Sequence, residues 1–136
     1  MANQQKVEFS QLELGHQFPQ ASYILETPMI EAYLEATEDT YPAYRQEELV
    51  PPTAVAAYAM AALAEDIELP PGTIHISQEI ESLKPACVND TITSHARVSG
   101  KRSRGKLDLL TIDIEVTNQN GEPVLAGKTT FLAPQQ

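Results

Sequence analysis

Val50-Pro51-Pro52-Thr53-Ala54-Val55-Ala56-Ala57-Tyr58-Ala59-Met60-Ala61-Ala62-Leu63-Ala64-Glu65-Asp66 is the stretch that decides the fold. It predicts a helix over Ala54–Asp66, entered through the Pro-Pro-Thr step and ended by Leu69-Pro70-Pro71-Gly72. Alanine has the highest helix propensity, and seven alanines keep the backbone slim enough to lie close against a sheet. With so little polar surface, the helix is expected to be buried nearly all round.

Downstream the period switches to two. Ile74, Ile76, Gln78 and Ile80 alternate with His75, Ser77, Glu79 and Glu81. Ile92, Ser94, Ala96 and Val98 continue the pattern, then Leu110, Ile112, Ile114 and Val116, and Val124–Phe131 closes it. Asn120-Gly121 predicts a tight hairpin, and the Lys101–Gly105 loop a second. Strands joined largely by hairpins form an antiparallel sheet with one wet face.

Upstream, Ser22–Leu25 reads as a short strand. Thr27-Pro28 predicts a helix start, with Thr27 as N-cap and the proline at the first helical position. Met29, Ile30, Tyr33 and Leu34 then share one helix face. Thr37–Val50 breaks the pattern, and Tyr41-Pro42 forces an extended or turned backbone before the proline, so the segment reads as an ordered excursion rather than a helix. The expected class is α+β: one domain over residues 1–136, a curved antiparallel sheet wrapped around a central Ala-rich helix.

Length and charge narrow the functions. A chain of 136 residues suits one domain with a core of its own. Its net charge of −10 and pI near 4.6 argue against a nucleic-acid surface, because phosphates demand a basic face. The lone cysteine, Cys87, excludes an intrachain disulfide and a multi-cysteine metal site. No pair among His16, His75 and His95 has metal-ligand spacing, and no glycine loop calls for a nucleotide cofactor, so neither metal nor cofactor is expected. No apolar run is long enough to cross a bilayer. Met1-Ala-Asn-Gln-Gln-Lys6 lacks the apolar stretch of a signal peptide, and the expected location is cytoplasmic.

The charge is uneven. Residues 1–81 hold 14 acids and two bases, whereas residues 82–136 hold five acids and seven bases. Four bases crowd into Lys101-Arg102-Ser103-Arg104-Gly105-Lys106. Such a loop reads first as a solvated hairpin tip kept soluble by charge, and as an alternative suits an anionic ligand such as the nucleotide phosphate of coenzyme A.

The local words resemble the MaoC-like hydratase/dehydratase family, whose fold is the hot dog. Its (R)-specific enoyl-CoA hydratases carry a stretch like Gly-Asp-x-Asn-Pro-x-His between an early helix and the central one. Glu38-Asp39-Thr40-Tyr41-Pro42-Ala43-Tyr44 stands at the corresponding place. Other words are similar to the N-terminal hot dog of fatty-acid-synthase-type dehydratases. They are Val50-Pro51-Pro52-Thr53, His75-Ile76-Ser77-Gln78-Glu79, Pro85 before Asp90-Thr91, Arg104–Leu107 and Asn118–Glu122. The likeness runs from about Phe9 to Pro134.

The resemblance implies a 2-enoyl or 3-hydroxyacyl thioester of coenzyme A or acyl carrier protein as ligand, and a second hot dog as partner in a homodimer or heterodimer. It makes Asp39 the carboxylate that holds or activates water. Tyr44, standing where the family has histidine, becomes a hydrogen-bond donor, and Tyr41 takes the asparagine position. A phenol with an ordinary pKa near 10 is a poor general base at neutral pH. Thr53, Ala54 and Val55 open the central helix, whose free N–H groups suit an enolate oxygen. Three functions remain open: a hydratase/dehydratase, a non-catalytic substrate-binding subunit of a heteromeric dehydratase, and an acyl-CoA thioesterase working with a single carboxylate.

Overall fold

The structure is a computed structural model describing residues 5–135. Met1–Gln4, read above as part of a leaderless start, lie outside the described residues. The elements run β1 (Val7–Glu8), a 3-10 turn (Phe9–Gln11), β2 (Ala21–Ile24), α1 (Thr27–Ala36), α2 (Ala43–Gln46), β3 (Leu49–Val50), α3 (Pro52–Asp66), β4 (Ile67–Glu68), β5 (Ile74–Ser82), β6 (Ala86–Cys87), β7 (Thr91–Arg104), β8 (Leu107–Thr117) and β9 (Pro123–Pro134).

Five strands form one antiparallel sheet in the order β2-β7-β8-β9-β5. Strands β7, β8 and β9 are a meander with turns at Gly105 and Gly121, whose φ of 63° and 74° suit glycine. The inward row of β7 and β8, Ile92, Val98, Leu110, Ile112, Ile114 and Val116, is buried. It faces the buried side of α3: Ala54, Val55, Ala59 and Leu63. Burying a side chain the size of Leu or Ile contributes about 1.5–3 kcal/mol, so this seam is the main source of stability. The α+β hot dog expected from the sequence is the fold.

Several expectations are corrected in detail. Helix α3 is not buried all round: Thr53, Ala57, Ala61 and Ala64 are exposed, because the sheet of one chain covers only one side of it. Thr27 is the first helical residue of α1 instead of its cap; Glu26 holds the N-cap position. The excursion contains a one-turn helix, α2, begun by the αR conformation of Pro42. Strand β5 leaves the hairpin series and pairs with β9 at the far edge. Its alternation is interrupted by a bulge between His75 and Ser77, so His75 sits opposite buried Phe131, their rings 5.1 Å apart. The Lys101–Gly105 loop is mostly strand, since β7 continues to Arg104. A bulge between Val98 and Gly100 brings Lys101 opposite Leu110, and its Nζ donates to the carbonyls of Leu12 at 2.6 Å and Ser10 at 3.3 Å. Among the described residues, no helix is long and apolar enough to cross a membrane.

Candidate functional site

Asp39 is placed by the way α1 ends. Glu38 adopts a left-handed φ of 55°, and the N–H of Asp39 bonds back to the Leu34 carbonyl at 2.9 Å. This end motif turns the chain sharply and usually takes glycine. The Asp39 carboxylate then accepts the N–H of Tyr41 at 3.0 Å, closing a local turn that leads into Pro42 and α2. Arg45 on α2 donates to the Asp39 carbonyl at 3.2 Å and pairs with Glu31 of α1 at 3.4 Å. Both ends of the turn are thereby tied to helices.

The turn brings Asp39, Tyr41 and Tyr44 together. The rings of Tyr41 and Tyr44 meet edge to face at 5.3 Å. The Tyr44 phenol is held above its ordinary value, first by burial, then by the negative charge of Asp39 and by Tyr41 and Tyr33. At neutral pH this group is a donor, not a base.

Tyr33 connects the turn to the central helix. Its hydroxyl donates to Thr53 Oγ1 at 2.7 Å. Thr53 is exposed in the first turn of α3 and does not cap it; Pro51 holds the N-cap position. Ala54 and Val55 are buried, and their N–H groups both bond to the Pro51 carbonyl, at 2.9 and 3.3 Å. Of the three residues, Thr53 is the one that presents a polar group to solvent.

From Tyr33 an aromatic row runs along α3. Tyr58 lies close enough to Tyr33 for its phenol to be raised by it, although burial is the larger cause. Its hydroxyl donates to the Met29 carbonyl at 3.4 Å, and its ring meets that of Tyr23 at 5.9 Å. All five tyrosines of the chain therefore lie on one track between β2 and Asp39. At the β2 end the track borders a groove of about 310 Å³ lined by Tyr23, Met29, Tyr58, Ala61, Ala62 and Glu65. Sequence reasoning missed Tyr23, Tyr33 and Tyr58. For Tyr33 and Tyr58 the signal was a tyrosine on a helix face otherwise filled by aliphatic groups, since a phenol hydroxyl needs a polar partner; Tyr23, on β2, carries no such signal. A second groove, about 320 Å³ on the outer face of the sheet near His95 and Arg97, contains none of the predicted residues.

The comparisons with known proteins agree with this architecture. The family model for the FAS1-like, dehydratase domain region matches residues 13–126. A UPF0336 protein of Saccharopolyspora erythraea is 27% identical over 137 residues, covering 88% of each chain. In structure the chain is similar to a monoamine oxidase regulatory protein of Archaeoglobus fulgidus, with a TM-score of 0.83 at 19% identity over 100% of this chain and 99% of that one. It is similar to an (R)-hydratase of Pseudomonas aeruginosa, with a TM-score of 0.76 at 20% identity over 93% and 85%. The C-terminally truncated HadBC 3R-hydroxyacyl-ACP dehydratase complex of Mycobacterium tuberculosis gives 0.72 at 19% over 88% and 96%. The chain thus belongs to the FAS1-like dehydratase region family, within the MaoC-like hot dogs.

Proposed function

We propose that this chain binds 2-enoyl or 3-hydroxyacyl thioesters, of coenzyme A or acyl carrier protein, and lacks the base needed to hydrate or dehydrate them unaided. The observation that carries this reading is Tyr44. By the resemblance read from the sequence it stands at the position where the family has histidine, and its phenol is raised rather than lowered. Hydration adds the water oxygen to C3 and a proton to C2 of the enoyl group, and something must take the proton that the water gives up. Asp39 alone, already accepting the Tyr41 N–H, is left for that task.

In this reading Asp39 holds the water, Tyr44 donates a hydrogen bond and Tyr41 shields the turn. Thr53, the residue of that helix end that presents a polar group to solvent, donates its hydroxyl proton to the thioester carbonyl, whose oxygen carries the enolate charge. The acyl chain follows the tyrosine track into the groove beside Ala61 and Ala62, which is wide because the side chains are small. The substrate-binding subunit of a heteromeric dehydratase is the role such a site suits best. The HadBC dehydratase, whose fold this chain shares, is a complex.

The test is a screen of purified chain on crotonyl-CoA, following both loss of enoyl absorbance and release of free thiol. The chain is assayed alone and with a hot dog that carries an intact Asp/His pair. Binding without turnover alone, and turnover gained with the partner, is the expected result. Thiol release by the chain alone would instead establish a thioesterase.

A further inference from the structure

The groove beside α3 is a poor match for a plain hydrocarbon. Among the described residues its lining holds no leucine, isoleucine or valine; the walls are alanines, Met29, Tyr23, Tyr58, Ser22 and Glu65. Ligand pockets fix orientation and specificity through a few placed polar groups. Three of the four polar side chains here are bonded or closed off. Ser22 Oγ shares a hydrogen bond with Thr93 at 2.7 Å, the Tyr58 hydroxyl donates to the Met29 carbonyl at 3.4 Å, and the Tyr23 hydroxyl is enclosed. Glu65 is exposed, and its carboxylate is the group left to meet a ligand.

Charge points the same way. Glu65 lies in the last turn of α3, where unpaired carbonyls give a helix its negative end. Such a turn favours lysine or arginine, yet this one has no basic residue, and Asp66 adds a second acid. The Asp66 carboxyl is held above its ordinary value, first by burial and then by the charge of Glu65. Among the described residues, ion pairs join Arg45 to Glu31, Lys84 to Glu122 and Arg97 to Asp113, and none reaches Glu65. The groove therefore borders a negative potential that no ion pair neutralises.

We propose that the groove takes an acyl group bearing a hydrogen-bond donor, an amine or a hydroxyl, at its distal end, and that Glu65 is the acceptor that selects it. This rests on the thioester reading, which sets the reacting carbonyl at Thr53. The step from Thr53 to Glu65 is twelve residues, and at about 1.5 Å per residue it spans roughly 18 Å along α3. The exposed stripe Thr53, Ala57, Ala61 and Ala64 runs that length without a bulky side chain. The donor thus lies at the far end of the acyl chain, well away from the C2 and C3 atoms that react. A chain ending in a carboxylate would set like charges together at Glu65 and the helix end. A chain ending in a methyl group would leave Glu65 without a partner.

The test is calorimetric titration of the purified chain with four 2-oxoalkyl thioethers of coenzyme A, which keep a carbonyl and resist hydrolysis. All four have one chain length, enough to span that distance, and end in methyl, hydroxyl, amine or carboxylate. The hydroxyl and amine forms are expected to bind about fivefold or more tighter than the methyl form, and the carboxylate form weakest. The advantage of the amine should shrink as salt rises, while that of the hydroxyl holds. Glu65→Ala, a change to a good helix former at an exposed position, should level amine, hydroxyl and methyl to within about twofold. Glu65→Gln should keep the preference for the hydroxyl and lose most of that for the amine. Equal binding of all four forms, or an unchanged ranking in Glu65→Ala, would overturn the proposal and leave the thioester reading standing. Binding of none of the four would overturn that reading, and the proposal with it.

Discussion

The hydroxyl of Tyr33 on α1 donates to the hydroxyl of Thr53 in the first turn of α3, across 2.7 Å. This bond ties α1, which ends at the Asp39 turn, to the first turn of the central helix, and Tyr58 further along α3 adds a second tie through the Met29 carbonyl of α1. Tyr33→Phe is expected to lower stability by about 0.5–1.5 kcal/mol, the usual net worth of a hydrogen bond. Urea unfolding checks it. The same variant should weaken binding of a thioester more than it weakens the fold, because Thr53 loses the partner that orients it.

The groove beside α3 owes its width to small side chains. Ala61→Leu fills part of about 310 Å³ from an exposed position, so it leaves the core seam untouched. The variant should keep its stability within about 0.5 kcal/mol, as surface changes do. It should bind short acyl thioesters as before and lose affinity for long ones about tenfold or more. Calorimetric titration with a chain-length series measures this.

Strand content, the α3 helix and the Asp39 turn were legible because each is written locally: in period-two alternation, in alanine density, and in the Tyr41-Pro42 step. What stayed hidden depends on which element lies beside which. The bulge between His75 and Ser77 leaves no mark in an alternating string, and it turns His75 toward Phe131. The exposed stripe Thr53, Ala57, Ala61 and Ala64 looks like core by composition, yet a single sheet covers only one side of the helix. The tyrosine track joins residues 23 to 58 through tertiary contacts that no spacing rule encodes.

Tyr23 gives the track a pH signature. Burial pushes its phenol up to about 12, Ser94 pulls it back and neighbouring Tyr58 adds to the rise. A group whose folded value lies above its unfolded value contributes stability that is complete below the unfolded value of about 10, and lost as pH rises through the folded one. Stability should therefore fall between about pH 10 and pH 12. Phenolate absorbance should show one tyrosine titrating last, near 12, and Tyr23→Phe should remove that step.

The hairpin bases are testable without knowing the acyl group. Arg102 and Arg104 are exposed near the β7–β8 turn, whereas Lys101 is committed to the Leu12 carbonyl. The double variant Arg102→Ser, Arg104→Ser should bind coenzyme A about tenfold or more weakly, since hydrogen bonds to charged groups contribute about 1.5–3 kcal/mol each. Affinity for a thioester of truncated pantetheine, which lacks the nucleotide phosphates, should not change. Equal loss for both would remove the hairpin from ligand recognition.

The central claim is that Tyr44 stands where a base is needed and cannot serve as one. A well-placed general base contributes about 100- to 10,000-fold in rate. Tyr44→His restores an imidazole at the position beside Asp39, on the same turn and the same short helix. The direct measurement is loss of enoyl absorbance from a short 2-enoyl-CoA, for wild type and Tyr44→His under matched conditions near neutral pH. The account predicts little or no turnover by the wild-type chain alone and a gain of about 100-fold or more in the variant. Robust wild-type turnover that Tyr44→His destroys would contradict it, and would make the phenol the working acid–base group.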